Sequence, residues 1–256
     1  MDRLTPGRRD VDVACEALAT QHVGRVTDAF GRADLQQDVL RAFGFCDRAR
    51  GDVEPGKVVQ RMIDRPWIDV IVGNVDLWVT RKVWETAKPK SPHQEWMFRM
   101  MEMTRERLDL NQLEWLDKRP FSITFSQDLG HDFHVFHGTP YDIGDSDAFP
   151  FRLTDDEISE KLIDYNYDVM AHGHIHGPSV RNIKNGDKVN QLVCAAAVGM
   201  SWDGDARPSY AVVEYMGKGK WNCRVERVEC DIEKQAEFNE NSWIEHGERI
   251  AGMIRS

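Results

Sequence analysis

Two histidines one residue apart, in Gly173-His174-Ile175-His176-Gly177-Pro178, have the spacing of this chain best suited to metal chemistry. Flanking glycines let the backbone come close, so side chains at i and i+2 can reach one centre, and imidazole nitrogen suits Zn, Mn, Fe or Ni. Histidines in a polar loop also have a blander reading as surface. Ligation is favoured here because the cluster directly follows an apolar run at 168–171, the pattern of a buried strand that ends where chemistry sits.

Two other apolar runs end the same way. His137-Gly138-Thr139-Pro140 follows residues 133–136, and by itself reads equally well as a strand-end histidine capped by a turn. Gly73-Asn74-Val75-Asp76 follows residues 69–72, and alone would be a plain turn. An Asn carbonyl is an unusual but real metal ligand. Asp76 is then the candidate catalytic carboxylate, placed to orient a neighbouring ligand or solvent. Three such motifs in this order make Asn74, His137, His174 and His176 the candidate metal ligands.

The elements that must position them alternate between strand and helix. Short apolar runs would be buried strands delivering side chains to one edge of a sheet. Thr154 with Glu157 makes a capping box before a helix reaching about Asp164; Asp109 with Gln112 does the same before a helix that Pro120 stops. Beyond Gly186 the pattern predicts strands at 189–194, 210–215 and 221–228, the last two joined by a hairpin turn at 217–219. The charged tail, 231–256, predicts one or two surface helices, and residues 86–94, with two prolines, a flexible stretch. Before Gln60 the apolar runs are short and broken, with one weak strand at 22–27; a divergent N-terminus or a translated frame error would look like this.

With 256 residues, 41% apolar and 30% charged, the chain suits one folded α/β domain with a sizeable core. Its net charge of -10, without a Lys/Arg block, argues against binding a nucleic-acid backbone, although bound cations can invert a local field toward phosphate. Five cysteines, odd in number and without a C-x-x-C pair, predict reduced thiols and a cytoplasmic protein. No apolar run approaches the roughly 20 residues of a membrane span. Met97, Met100, Met101 and Met103 predict an apolar patch or core face, and Trp78, Trp84, Trp96 and Trp115 packing. His22, His93, His131, His134 and His172 lack motif context and are expected to be structural.

The order Gly-Asn-x-Asp, His-Gly-Thr-Pro, Gly-His-x-His resembles the calcineurin-like metallophosphoesterases, in particular their small bacterial and archaeal phosphodiesterase branch. In that branch a loop Asn-Pro-Gly-Ser-Val-Gly and a strand Arg-x-Ser-Tyr-Ala follow; here stand Ala195-Ala196-Ala197-Val198-Gly199 and Arg207-Pro208-Ser209-Tyr210-Ala211. The likeness covers roughly residue 60 to the C-terminus. It implies a four-layer αββα sandwich, two mixed β-sheets flanked by helices. It also implies hydrolysis of small phosphoesters, by a phosphodiesterase or phosphatase using hydroxide activated between two divalent ions drawn from Mn, Fe, Ni, Zn or Mg. Asn74, His137 and His174 would bind one metal and His176 the other.

The remaining ligands implied by the resemblance fall in the divergent part. Asp28 stands in Thr27-Asp28-Ala29-Phe30-Gly31 as the match to an Asp-x-His-Gly motif, but Phe30 occupies the His position and phenyl cannot ligate. Asp47 and Asp52 are the two candidates for the bridging carboxylate, Asp47 slightly favoured. Val75 stands where many relatives carry a general-acid His, which argues for an activated leaving group such as an aryl or nucleoside ester. These departures also suit a degenerate relative that keeps the fold as a binding or scaffold module, the role attributed to the retromer subunit of the superfamily.

Overall fold

The apolar runs at 133–136, 168–171 and 189–194 become neighbouring buried strands in a computed structural model that describes residues 55–67, 69–127, 130–144 and 152–255. Among the described residues five helices come first: α1 (Pro55–Ile63), α2 (Asn74–Thr80), α3 (Val83–Thr86), α4 (Pro92–Arg105) and α5 (Leu110–Asp117). Strands β1 (Ser122–Ser126) and β2 (Asp132–Phe136), helix α6 (Asp155–Lys161), and strands β3 (Val169–His172), β4 (Ser179–Asn185) and β5 (Lys188–Cys194) follow. The hairpin β6 (Ser209–Tyr215) and β7 (Trp221–Arg227) and helices α7 (Ile232–Glu240) and α8 (Gly247–Arg255) complete the chain. Residues 22–27, Asp28, Phe30, Asp47 and Asp52 lie outside the described residues.

Strand order in the main sheet is β1-β2-β3-β5-β4. The centre, β2, β3 and β5, is parallel, and the two edges are antiparallel. Side chains alternate between the faces of a strand. Phe133, Val135, Val169, Ala171 and Val193 therefore point one way, against Ala211 and Val213 of β6, while Phe136, Met170 and Leu192 point the other way, against Ile158 and Leu162 on and beside α6. With both faces covered, the central strands are largely apolar, broken only by His134 in β2 and by the polar first half of β5, which is why they are legible.

The helices build two further cores. Val59, Val75, Val79, Leu113 and Leu116 from α1, α2 and α5 pack with Phe98 and Met101 of α4. The opposite stripe of α4, Trp96 and Met100, packs with Ala236, Ile250, Ala251 and Ile254 of α7 and α8. Met100, Met101 and Met103 are all buried, so the methionine run is a core face, and Trp78, Trp84 and Trp115 are half-buried packing.

Several expectations need correction. Residues 69–72 are buried at 70–72 but join no strand ladder among the described residues; Val72 N–H instead donates to Pro120 O at 3.0 Å. Strands β1 and β4 escaped the sequence because edge strands bury little: of β4 only Ile183 is buried. One sheet is mixed as expected, whereas the second is, among the described residues, the antiparallel β6–β7 hairpin. The helix after Thr154 stops at Lys161. Within 86–94, Ser91 caps α4 by accepting Gln94 N–H at 3.2 Å with Pro92 in the first turn, so that part is ordered by a cap.

The tail is not a surface appendage. It closes the core around α4, and Ile250 is 1% exposed. Ile250→Ala is expected to lower unfolding free energy by about 2–5 kcal/mol, the usual range for emptying a buried aliphatic position. Urea titration followed by circular dichroism and tryptophan fluorescence checks this; an unchanged midpoint would mean the tail does not contribute to the core.

Candidate metal centre

Asn74 is the first residue of α2, and the turn that presents it is held by Asp76. The Asp76 Oδ2 accepts the Gly73 N–H at 2.8 Å. Glycine has no side chain to complete the reciprocal half of a capping box, so the carboxylate is joined there by a backbone bond, Leu77 N–H to Gly73 O at 3.3 Å. Asn74 and Asp76 are both buried. The carboxylate contact ties Asp76 to the start of the turn that carries Asn74.

His137 leaves the end of β2 and His174 follows β3, next to it in parallel. The two loops are tied by the Gly173 N–H, which donates to His137 O at 3.0 Å. Gly138 must be glycine: a Cβ there would stand 2.7 Å from Ile143 O and 2.8 Å from Asp142 O, where the loop folds back. His174 itself has φ 62, a left-handed conformation that L side chains rarely adopt. Such a conformation persists only where the surroundings impose it. The imposing contacts are Ile175 N–H to Gly173 O at 2.6 Å, Gly177 N–H to Ile175 O at 2.8 Å and the buried Cys194 thiol to Ile175 O at 3.0 Å.

These turns bring three donor atoms together. Asn74 Oδ1 lies 2.9 Å from His137 Nε2, and His137 Nε2 lies 3.3 Å from His174 Nδ1, with the two rings edge-on. Because the Asn carbonyl can only accept, the first contact assigns the proton to His137 Nε2. Neighbouring ligands of a cation with bonds of about 2.1 Å are about 3.0 Å apart in an octahedron and about 3.4 Å in a tetrahedron. Each of these two distances is that of neighbouring ligands on one divalent ion. Two imidazoles and one amide oxygen suit a borderline metal such as Zn, Mn, Fe or Ni.

His176 stands apart from this trio. Among the described residues no three His, Cys, Asp or Glu side chains gather round one centre. His176 Nδ1 donates to Met200 O at 2.8 Å, the kind of backbone contact that fixes the ring orientation of a ligating imidazole. Its ring is stacked on Trp202 at 4.4 Å, and Trp202 N–H donates to His176 O at 2.7 Å. Sequence reasoning missed these supports. Met200 acts through its backbone, which residue type does not reveal. Ser209, whose hydroxyl donates to Ala195 O at 2.7 Å to fasten the intervening loop, had a signal in Arg207-Pro208-Ser209-Tyr210-Ala211.

No protein-family model and no curated protein matches the sequence. Solved structures do match. A metallophosphoesterase from Sphaerobacter thermophilus agrees with a TM-score of 0.63 at 17% identity, over 94% of this chain and 93% of that one. A hypothetical protein from Pyrococcus horikoshii OT3 agrees with a TM-score of 0.58 at 13% identity, over 76% of each chain. The chain thus has a mixed α/β fold structurally similar to metallophosphoesterases. No helix among the described residues is long and apolar enough to cross a membrane.

Two buried histidines outside the trio hold the sheet beneath it. His172, at the end of β3, has its pKa pushed down to about 4 by burial, against the pull of the Gly173 carbonyl. His134 is likewise pushed down to about 4 by burial, stacked on Tyr167 at 4.2 Å and 2.8 Å from Thr124 Oγ1. An unfolded imidazole takes up its proton near pH 6.5, whereas folded His134 resists until about 4. The unfolded chain therefore binds more protons across that window, so stability is full above pH 6.5 and falls as pH drops toward 4. His134→Phe keeps the stacking and removes the titration. Denaturation at pH 7 and pH 4.5 should show the variant losing less stability than the wild type, by on the order of 2 kcal/mol. Equal losses would place the acid sensitivity elsewhere.

Proposed function

We propose that the chain is a metal-dependent phosphoric ester hydrolase, a phosphodiesterase or phosphatase acting on small phosphoesters. The observation that carries this reading is the convergence of Asn74 Oδ1, His137 Nε2 and His174 Nδ1 at spacings that fit one cation, at the edge where parallel strands end. Similarity of the fold to a metallophosphoesterase supports it. On this reading the whole chain is one domain, the four-layer sandwich of that class, working in the cytoplasm without a nucleic-acid or membrane partner.

Asn74, His137 and His174 would hold one ion. His176, held through its Nδ1 by Met200 O, would serve a second together with Asp28 and either Asp47 or Asp52. When bound, such ions act as Lewis acids that lower the pKa of water and stabilise charge developing on phosphorus-bound oxygens. The chain's own part is to present neutral nitrogens and one amide oxygen with little rearrangement, Asp76 keeping Asn74 in place. Val75 is 4% exposed and packed in the helical core, so it brings no proton to the leaving group. Substrates with leaving groups that depart unprotonated, aryl or nucleoside esters, suit such a site.

A catalytically impaired relative acting as a binding or scaffold module is the second reading. Phe30 in place of a ligand favours it, as does the lack of a third His, Cys, Asp or Glu beside His137 and His174 among the described residues.

With added Mn²⁺ the protein should hydrolyse bis-p-nitrophenyl phosphate, and His174→Ala should lower the rate by about 100-fold or more, since even outer partners of metal ligands cost 10- to 100-fold. Absence of metal-dependent turnover would overturn the enzyme reading. Metal analysis of protein purified without chelator separates the two readings: two equivalents accord with the enzyme, and none with the module.

A further inference from the structure

Trp202 is 63% exposed, yet it is held still. Its backbone N–H donates to His176 O at 2.7 Å, and one face of its indole stacks on the His176 ring at 4.4 Å and 23°. The loop that carries it is fastened on both sides. Ser209 grips Ala195 O, while Arg227 donates to Ser201 Oγ at 3.1 Å, Asp205 O at 3.0 Å and Arg207 O at 2.6 Å, and pairs with Asp203. Positive φ at Ala196 and Met200 shows how far the backbone is bent to bring this segment against His176.

Covering His176 explains one face of the indole and leaves the exposure of the rest unexplained. A small apolar residue would cover the imidazole equally well without exposing the largest apolar side chain to water. A rigid aromatic surface with a free face is a stacking platform: planar groups pair with it at little entropic cost because it has few torsions to fix. Its neighbour is the residue assigned above to a metal.

We infer that Trp202 is a specificity-determining residue that stacks on an aromatic ring of the substrate, so the preferred phosphoesters carry an aryl or nucleobase group. This rests on the hydrolase reading. It accords with Val75, because leaving groups that need no proton and groups that stack on indole are commonly the same aromatic ones.

The test uses the full chain with Mn²⁺ and two non-hydrolysable probes, phenylphosphonate and methylphosphonate, titrated calorimetrically. Wild-type protein should bind the phenyl compound about five- to tenfold more tightly, the range expected of one aromatic stack. Trp202→Ala should reduce that ratio to below about twofold, and Trp202→Phe should restore most of it. The ratio carries the result, because any disturbance of His176 weakens both probes alike. A ratio undiminished in Trp202→Ala overturns the platform and leaves the hydrolase reading standing. Failure of the wild type to bind either phosphonate at any Mn²⁺ concentration overturns the hydrolase reading and this inference with it.

Discussion

Parallel pairing of β2 with β3 is the constraint on which the centre depends. Parallel strands in register end side by side, and here Val135 lies opposite Ala171, so the residues that follow each strand emerge at the same edge. One more backbone bond, from Gly173 N–H to His137 O, continues that alignment into the loops and sets two imidazoles within reach of each other. The pairing is stable because apolar side chains cover both faces, from the β6–β7 hairpin on one side and α6 on the other. Covering both faces also keeps water from competing for the strand hydrogen bonds.

Loops after the strands then do what strands cannot. His174, Ala196 and Met200 are three of the six non-glycine residues with positive φ among the described residues, and all three lie in the segments that shape the centre. Conformations of this kind cost of order 1–3 kcal/mol each. They are offset by specific contacts: the Cys194 thiol under Ile175, the Ser209 hydroxyl on Ala195, and the Arg227 guanidinium on the loop that follows Met200. The strain is thus imposed by a framework built elsewhere, which leaves the donor atoms with few alternatives to the arrangement seen.

Legibility in the sequence followed burial and residue type. Central strands were readable because burial on both faces demands apolar runs, and α5 and α6 because their capping boxes are written in side chains. Edge strands β1 and β4 were not, since their polar, half-exposed residues look like loop. Ile183 alone is buried in β4. At the centre, Asn74, His137 and His174 were named from type and position, and the structure places them in contact. Supports that act through the backbone, such as Met200 O on His176 Nδ1, leave no trace in residue identity. Trp202 was missed for the opposite reason: tryptophans are usually packing, and only its exposure beside His176 sets it apart.

The central claim is that Asn74, His137 and His174 share one divalent ion. Anomalous diffraction from crystals soaked in Mn²⁺, recorded near the manganese edge, tests it most directly. A peak within about 2.0–2.4 Å of Asn74 Oδ1, His137 Nε2 and His174 Nδ1 is the predicted result. A fully occupied manganese site elsewhere, with none touching these three atoms, would contradict it.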